Sequence, residues 1–108
     1  PHPRLWGTFP RVLGHYVRDR ALLTLPQAIH KMTGLSAARF GLKTRGIIKP
    51  GMHADLTLFA PATIIDSADI EHSEEVSHGI THVLVGGQIT LQNGVQTGHR
   101  NGRFLHRA

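Results

Sequence analysis

The 108 residues carry 12 Lys+Arg against 7 Asp+Glu, a net charge of +5 at pH 7, with 40% hydrophobic residues and no cysteine. That size and balance describe one domain of an ordinary globular protein. A chain without cysteine makes no disulfide or thiolate metal site, and the expectation is a reducing, cytoplasmic compartment. No apolar run approaches the roughly 18 residues of a membrane span. The basic residues are scattered from Arg4 to Arg107 without the aromatic or helix-turn-helix signatures of a nucleic-acid reader, so a solvated basic surface is favoured.

The chain opens with Pro1-His2-Pro3-Arg4, a proline-flanked pair of polar side chains running into a helical pattern. The first predicted helix spans about Phe9 to Asp19. Phe9, Val12, Leu13, Tyr16 and Val17 share a face, Thr8 is the expected N-cap, and Pro10 falls in the first turn, where its missing N–H costs nothing. Thr24-Leu25-Pro26-Gln27 is a capping-box pattern for a second helix, with Leu25, Ala28, Ile29 and Met32 as its buried stripe. A short third helix has Ser36 as its expected cap and Gly41 as a left-handed terminator.

From Gly46 the period changes. Lys49-Pro50-Gly51-Met52 reads as a type II turn, followed by a strand over Ala54 to Phe59 that is expected to be buried on both faces. The acidic stretch Asp66 to His78 reads as an exposed loop. Ile80 to Val85 and Gln88 to Leu91 are strands joined at Gly86-Gly87, and Asn93-Gly94 is a two-residue hairpin signal into Val95 to Thr97. Helices followed by a few short strands give an α+β chain whose incomplete sheet needs a partner, which suggests a missing upstream part.

Nine histidines raise a metal hypothesis, but no His-x-His or His-Glu-x-x-His spacing is present. Neither a P-loop, a dinucleotide fingerprint nor a Gly-x-Ser-x-Gly elbow occurs. Composition and periodicity go no further than an α+β fragment without visible chemistry.

Two motifs are more specific. Gly51-Met52-His53-Ala54-Asp55-Leu56-Thr57-Leu58-Phe59, with Arg45-Gly46-Ile47-Ile48-Lys49-Pro50 before it, resembles a segment near the C-terminus of metal-dependent amidohydrolases. His2-Pro3-Arg4-Leu5-Trp6-Gly7-Thr8-Phe9-Pro10-Arg11 resembles the corresponding stretch of D-aminoacylases, the N-acyl-D-amino-acid deacylases. The tail around Gly94 to Gly98 and Gly102 to Leu105 is also similar, although Asn101 stands where proline is expected.

The resemblance implies a fold and an activity. Residues 1–45 would be a terminal loop and the last helices of a (β/α)8 barrel, and residues 46–108 the C-terminal part of a small β-sandwich whose other strands come from the N-terminus. The whole protein would be a zinc-dependent hydrolase releasing a carboxylate and a D-amino acid from an N-acyl-D-amino acid. Its zinc ligands and catalytic aspartate would lie upstream, so this chain alone is expected to be inactive and to bind no metal. Asp55 is expected to cap the start of its strand instead of acting as the catalytic acid.

At the catalytic rim of such a barrel, Arg4 is a candidate for binding the substrate α-carboxylate, with a structural salt bridge as the competing role. His2 is a second substrate-binding candidate. The alternatives are a dihydroorotase- or hydantoinase-like amidohydrolase fragment and a non-catalytic basic binding module.

Overall fold

The computed structural model describes residues 2–106. The order is α1 (Arg4–Arg11), a π-helix (Val12–Asp19), α2 (Leu25–Met32), α3 (Gly34–Arg39), then β1 (Leu56–Phe59), β2 (Ile80–Val85), β3 (Gln88–Gln92) and β4 (Val95–Gln96). The four strands form one sheet in the order β1-β2-β3-β4. No helix among the described residues is long and apolar enough to cross a membrane. The chain divides into two compact units, each drawn from two stretches: residues 2–28 with Phe59–Ile80, and Ile29–Leu58 with residues 81–106.

In the first unit the leading helix starts five residues earlier than the apolar pattern predicts. Pro3 sits at its N-terminus with φ −60°, and its carbonyl accepts from the N–H groups of Trp6 and Gly7 at 3.1 Å. Proline is pre-set for this position and needs no N–H partner there. Thr8, expected as the cap, lies inside α1, where its hydroxyl donates to the carbonyl of Arg4 one turn back. Pro10 is likewise interior to α1 instead of in a first turn. A proline removes one donor from the i→i−4 ladder, and two residues later the helix widens to π geometry.

The buried face of this helix differs in part from the expected one. Leu13 is buried as expected, but Phe9 is 65% exposed and the glycines Gly7 and Gly14 are buried. Positions 4, 7, 11, 14 and 18 alternate arginine and glycine at steps of three and four, which places them on one helical face. That face meets the segment Pro61–Asp66. A Cβ on Gly7 would stand 2.6 Å from Asp66 Cβ, and one on Gly14 would overlap the Ile64 carbonyl and lie 2.6 Å from Ile65 Cδ1. Arg18 Nη1 donates to the carbonyl of Ile64 at 2.8 Å and to that of Pro61 at 3.3 Å. Ile64 and Ala68, both buried, join Leu13 and Ala28 in the core of this unit. The acidic stretch is therefore not an exposed loop at its start. The Asp66 side chain is 5% exposed, and Ile65 bridges His78 in antiparallel fashion.

Also in the first unit, Thr24 and Gln27, at the start of α2, form the reciprocal capping box, with side-chain to backbone bonds of 2.9 and 3.2 Å. The second unit follows its turn chemistry closely. Helix α3 ends as expected at Gly41, φ +73°. Gly41 N–H donates to Ala38 O at 3.2 Å and Leu42 N–H to Ala37 O at 2.9 Å, the paired bonds of a Schellman motif. Ser36 does not cap this helix; it lies within it, and its hydroxyl donates to Lys31 O at 2.6 Å.

The Lys49–Met52 turn closes at 3.2 Å with Gly51 at φ +90°. Strand β1 is shorter than predicted, and Thr57 and Leu58 are exposed, so it is not buried on both faces among the described residues. Strands β2 and β3 pair antiparallel with a register shift after Val83, as do β3 and β4 across Asn93-Gly94, both residues at positive φ.

Candidate functional site

The start of α1 carries both candidate binding residues. The backbone N–H of Arg4 donates to His2 Nδ1 at 3.1 Å, so His2 serves one of the orphan donors at the helix N-terminus. The same local geometry that starts the helix at Arg4 thus sets the direction in which its side chain leaves the backbone.

The Arg4 guanidinium is held at one end. Nη2 donates to Asp66 Oδ2 at 2.7 Å, while Asp66 Oδ1 lies 3.7 Å from Arg11 Nη1. The carboxylate rests over Gly7, between the two arginines, where the missing side chain lets it approach the helix. The Arg4 side chain is 35% exposed, yet its Nη1 is shielded from solvent and has no acceptor among the described residues. A buried donor without an acceptor is costly and unusual. A guanidinium pinned at one nitrogen holds its plane fixed, and the exposed part of the Arg4 side chain can still face a carboxylate. Trp6, two residues along, is 44% exposed.

Asp66 is the residue the motif reading missed. It sits 62 positions from Arg4, inside a stretch that looks like an ordinary acidic loop. The signal that could have found it is the Arg-x2-Gly-x3-Arg-x2-Gly-x3-Arg spacing. Glycines recurring between arginines on one helical face mark a groove for another backbone and leave a cation on each side of it.

In the second unit, Asp55 is fully engaged as a clip. Oδ1 accepts from the Gly86 backbone N–H at 2.8 Å and Oδ2 from Arg45 Nε at 2.8 Å. The Gly86 N–H first, and then the Arg45 guanidinium, hold its carboxyl below the ordinary value of 3.8. A cavity of about 380 Å³ lies beside it, lined by Arg45, His53, Asn101 and Arg103 among others. The Asn101 side chain donates to the Val85 carbonyl, a bond that proline could not make. Among the described residues no three His, Asp or Glu side chains converge to hold a metal ion.

The model of the Amidohydrolase family matches residues 1–91. D-aminoacylase of Alcaligenes xylosoxydans xylosoxydans is 55% identical over 107 residues, which is 99% of this chain and 22% of that protein. The structure of a D-aminoacylase mutant in complex with copper chloride has a TM-score of 0.96 at 55% identity, covering 99% of this chain and 23% of that one. N-acyl-D-glutamate deacylase of Bordetella bronchiseptica was solved with zinc and a phosphonate inhibitor that mimics the tetrahedral intermediate. It has a TM-score of 0.82 at 49% identity, covering 83% of this chain and 19% of that one. The chain spans about a fifth of the length of these relatives. With a family model matched over most of its length and a fold shared with these structures, the chain belongs to the amidohydrolase family.

Proposed function

We propose that this chain is the substrate-binding C-terminal part of a zinc-dependent hydrolase that cleaves N-acyl-D-amino acids. In that reaction water adds to the acyl carbonyl, the C–N bond breaks, and the amine leaves with a proton. The products are a carboxylate and a D-amino acid. On this reading the leading helices are the last of a (β/α)8 barrel and the strands belong to a small β-sandwich, with the remaining strands and helices supplied by the rest of the protein.

The observation that carries the reading is Arg4. It stands at the start of a helix with one guanidinium nitrogen fixed on Asp66 and its side chain still 35% exposed. Every N-acyl amino acid presents an α-carboxylate, and a guanidinium binds one in a defined plane. Orienting the substrate by a group remote from the scissile bond is a recognised source of rate, since it fixes the carbonyl against the attacking water. His2 contributes by holding the Arg4 backbone, so its part in binding is indirect.

The zinc that the family implies finds no ligand set among the described residues. On the proposed reading this segment binds and orients substrate, and the zinc ligands lie in the rest of the protein. The test is an assay of the protein carrying this chain for release of free D-amino acid from N-acetyl-D-amino acids and their L-enantiomers. Release from the D-series is expected. Opening of a cyclic amide without cleavage of N-acetyl-D-amino acids would overturn the reading.

A further inference from the structure

The geometry points to Asp66 as a positioning residue for the substrate carboxylate, acting through Arg4; the inference rests on the role proposed for Arg4. A free arginine at a helix N-terminus has several rotatable bonds and loses much of that freedom when it binds a ligand. Here that freedom is already restricted. Asp66 Oδ2 takes Nη2 at 2.7 Å, and the aspartate itself is 5% exposed, so the contact is not one of the weak surface pairs that solvent screens.

Three features make Asp66 more than a neutralising partner. Its Cβ is seated against the bare face of Gly7, so the carboxylate has a fixed distance from the helix. Its second oxygen faces Arg11 Nη1 at 3.7 Å. Arg4, Arg11 and Asp66 together therefore carry one net positive charge, and the site still attracts an anion although Arg4 is paired. Finally, the bond to Asp66 fixes Nη2 while the Arg4 side chain as a whole stays 35% exposed. Asp66 thus sets the plane in which the guanidinium meets the substrate.

The backbone around Asp66 is itself anchored. Arg18 holds the carbonyls of Pro61 and Ile64, Gly14 admits Ile64 and Ile65 against the helix, and Ile65 bridges His78. The Arg/Gly face of the leading helix grips this segment along its length and delivers the aspartate to Arg4.

The experiment compares kcat and KM in the protein carrying this chain for an N-acetyl-D-amino acid and for the same compound with its α-carboxylate replaced by a carboxamide. Wild type, Asp66→Asn, Asp66→Glu, Arg4→Ala and the Arg4→Ala/Asp66→Asn double variant are measured. The expected result is that Asp66→Asn raises KM for the acid and lowers the acid-to-carboxamide ratio of kcat/KM by at least about tenfold. Asp66→Glu should recover part of that ratio, and the double variant should be no worse than Arg4→Ala alone.

A purely structural Asp66 would depress both substrates equally, and its losses would multiply with those of Arg4→Ala; either result overturns the inference. If Arg4→Ala leaves the acid-to-carboxamide ratio unchanged, the role of Arg4 itself falls, and the positioning role falls with it. Should Asp66→Asn not accumulate as folded protein, Gly7→Ala decides the matter. It displaces the aspartate without removing its charge and must produce the same acid-selective rise in KM, and an equal loss on both substrates counts against the proposal.

Discussion

At the scale of single residues, the structure separates two aspartates that look alike in the sequence. Asp55 is tied to Gly86 and Arg45, with its acidity increased, and Asp66 is tied to Arg4 and seated over Gly7. A carboxyl whose folded pKa is depressed contributes stability that is present above its unfolded value, here 3.8, and is lost as pH falls through the lower folded value. Asp55→Asn should therefore lower the thermal midpoint at neutral pH. The gap from wild type should narrow as pH falls below 3.8 and through the lower folded value. A gap that stays constant over that range, followed by calorimetry, would show that the ionised form is not what stabilises the clip. The strand-capping role of Asp55 was legible because the residue precedes a short apolar strand. Asp66 was not, because its partner lies far away in sequence and only the helix geometry brings them together.

Among the elements, legibility followed local chemistry. The capping box at Thr24 and Gln27, the Schellman ending at Gly41, the type II turn at Gly51 and the Asn93-Gly94 hairpin are each set by one or two residues with a fixed backbone preference, and all form where their residues predict. Thr24→Ala should cost about 1 kcal/mol of stability, read as a lowered thermal midpoint with unchanged far-UV dichroism.

The first helix was harder to read. Its apolar periodicity pointed to Phe9, Val12 and Tyr16, while the tight packing runs along Gly7 and Gly14, which carry no hydrophobic signal. The widening to a π-helix after Pro10 also shifts the face that a 3.6-residue period projects. Gly14→Ala tests this packing. Helix propensity alone would favour alanine by about 1 kcal/mol, but its Cβ meets the Ile64 carbonyl and Ile65. A net loss of roughly 1–3 kcal/mol is expected. A variant more stable than wild type in denaturant titration would mean that the groove is not a close-packed one.

For the whole molecule, the leading helix has two faces with different tasks. One grips the Pro61–Asp66 segment, and the other leaves Leu5 and Phe9 exposed. On the proposed reading that second face packs against the rest of the barrel, which fits a chain spanning about a fifth of its relatives. The metal requirement also belongs at this scale. The zinc content of the protein carrying this chain should be unchanged by His2→Ala or His53→Ala, measured by elemental analysis of the purified variants. Loss of one equivalent in either would place a ligand in this segment.

The central claim, that this segment provides the group that reads the substrate carboxylate, is tested most directly by Arg4→Ala. The quantity to measure is kcat/KM for an N-acetyl-D-amino acid in the zinc-loaded protein carrying this chain. A fall of at least about tenfold, ~1.4 kcal/mol of transition-state stabilisation, is predicted. A change below about twofold, roughly 0.4 kcal/mol, would contradict it.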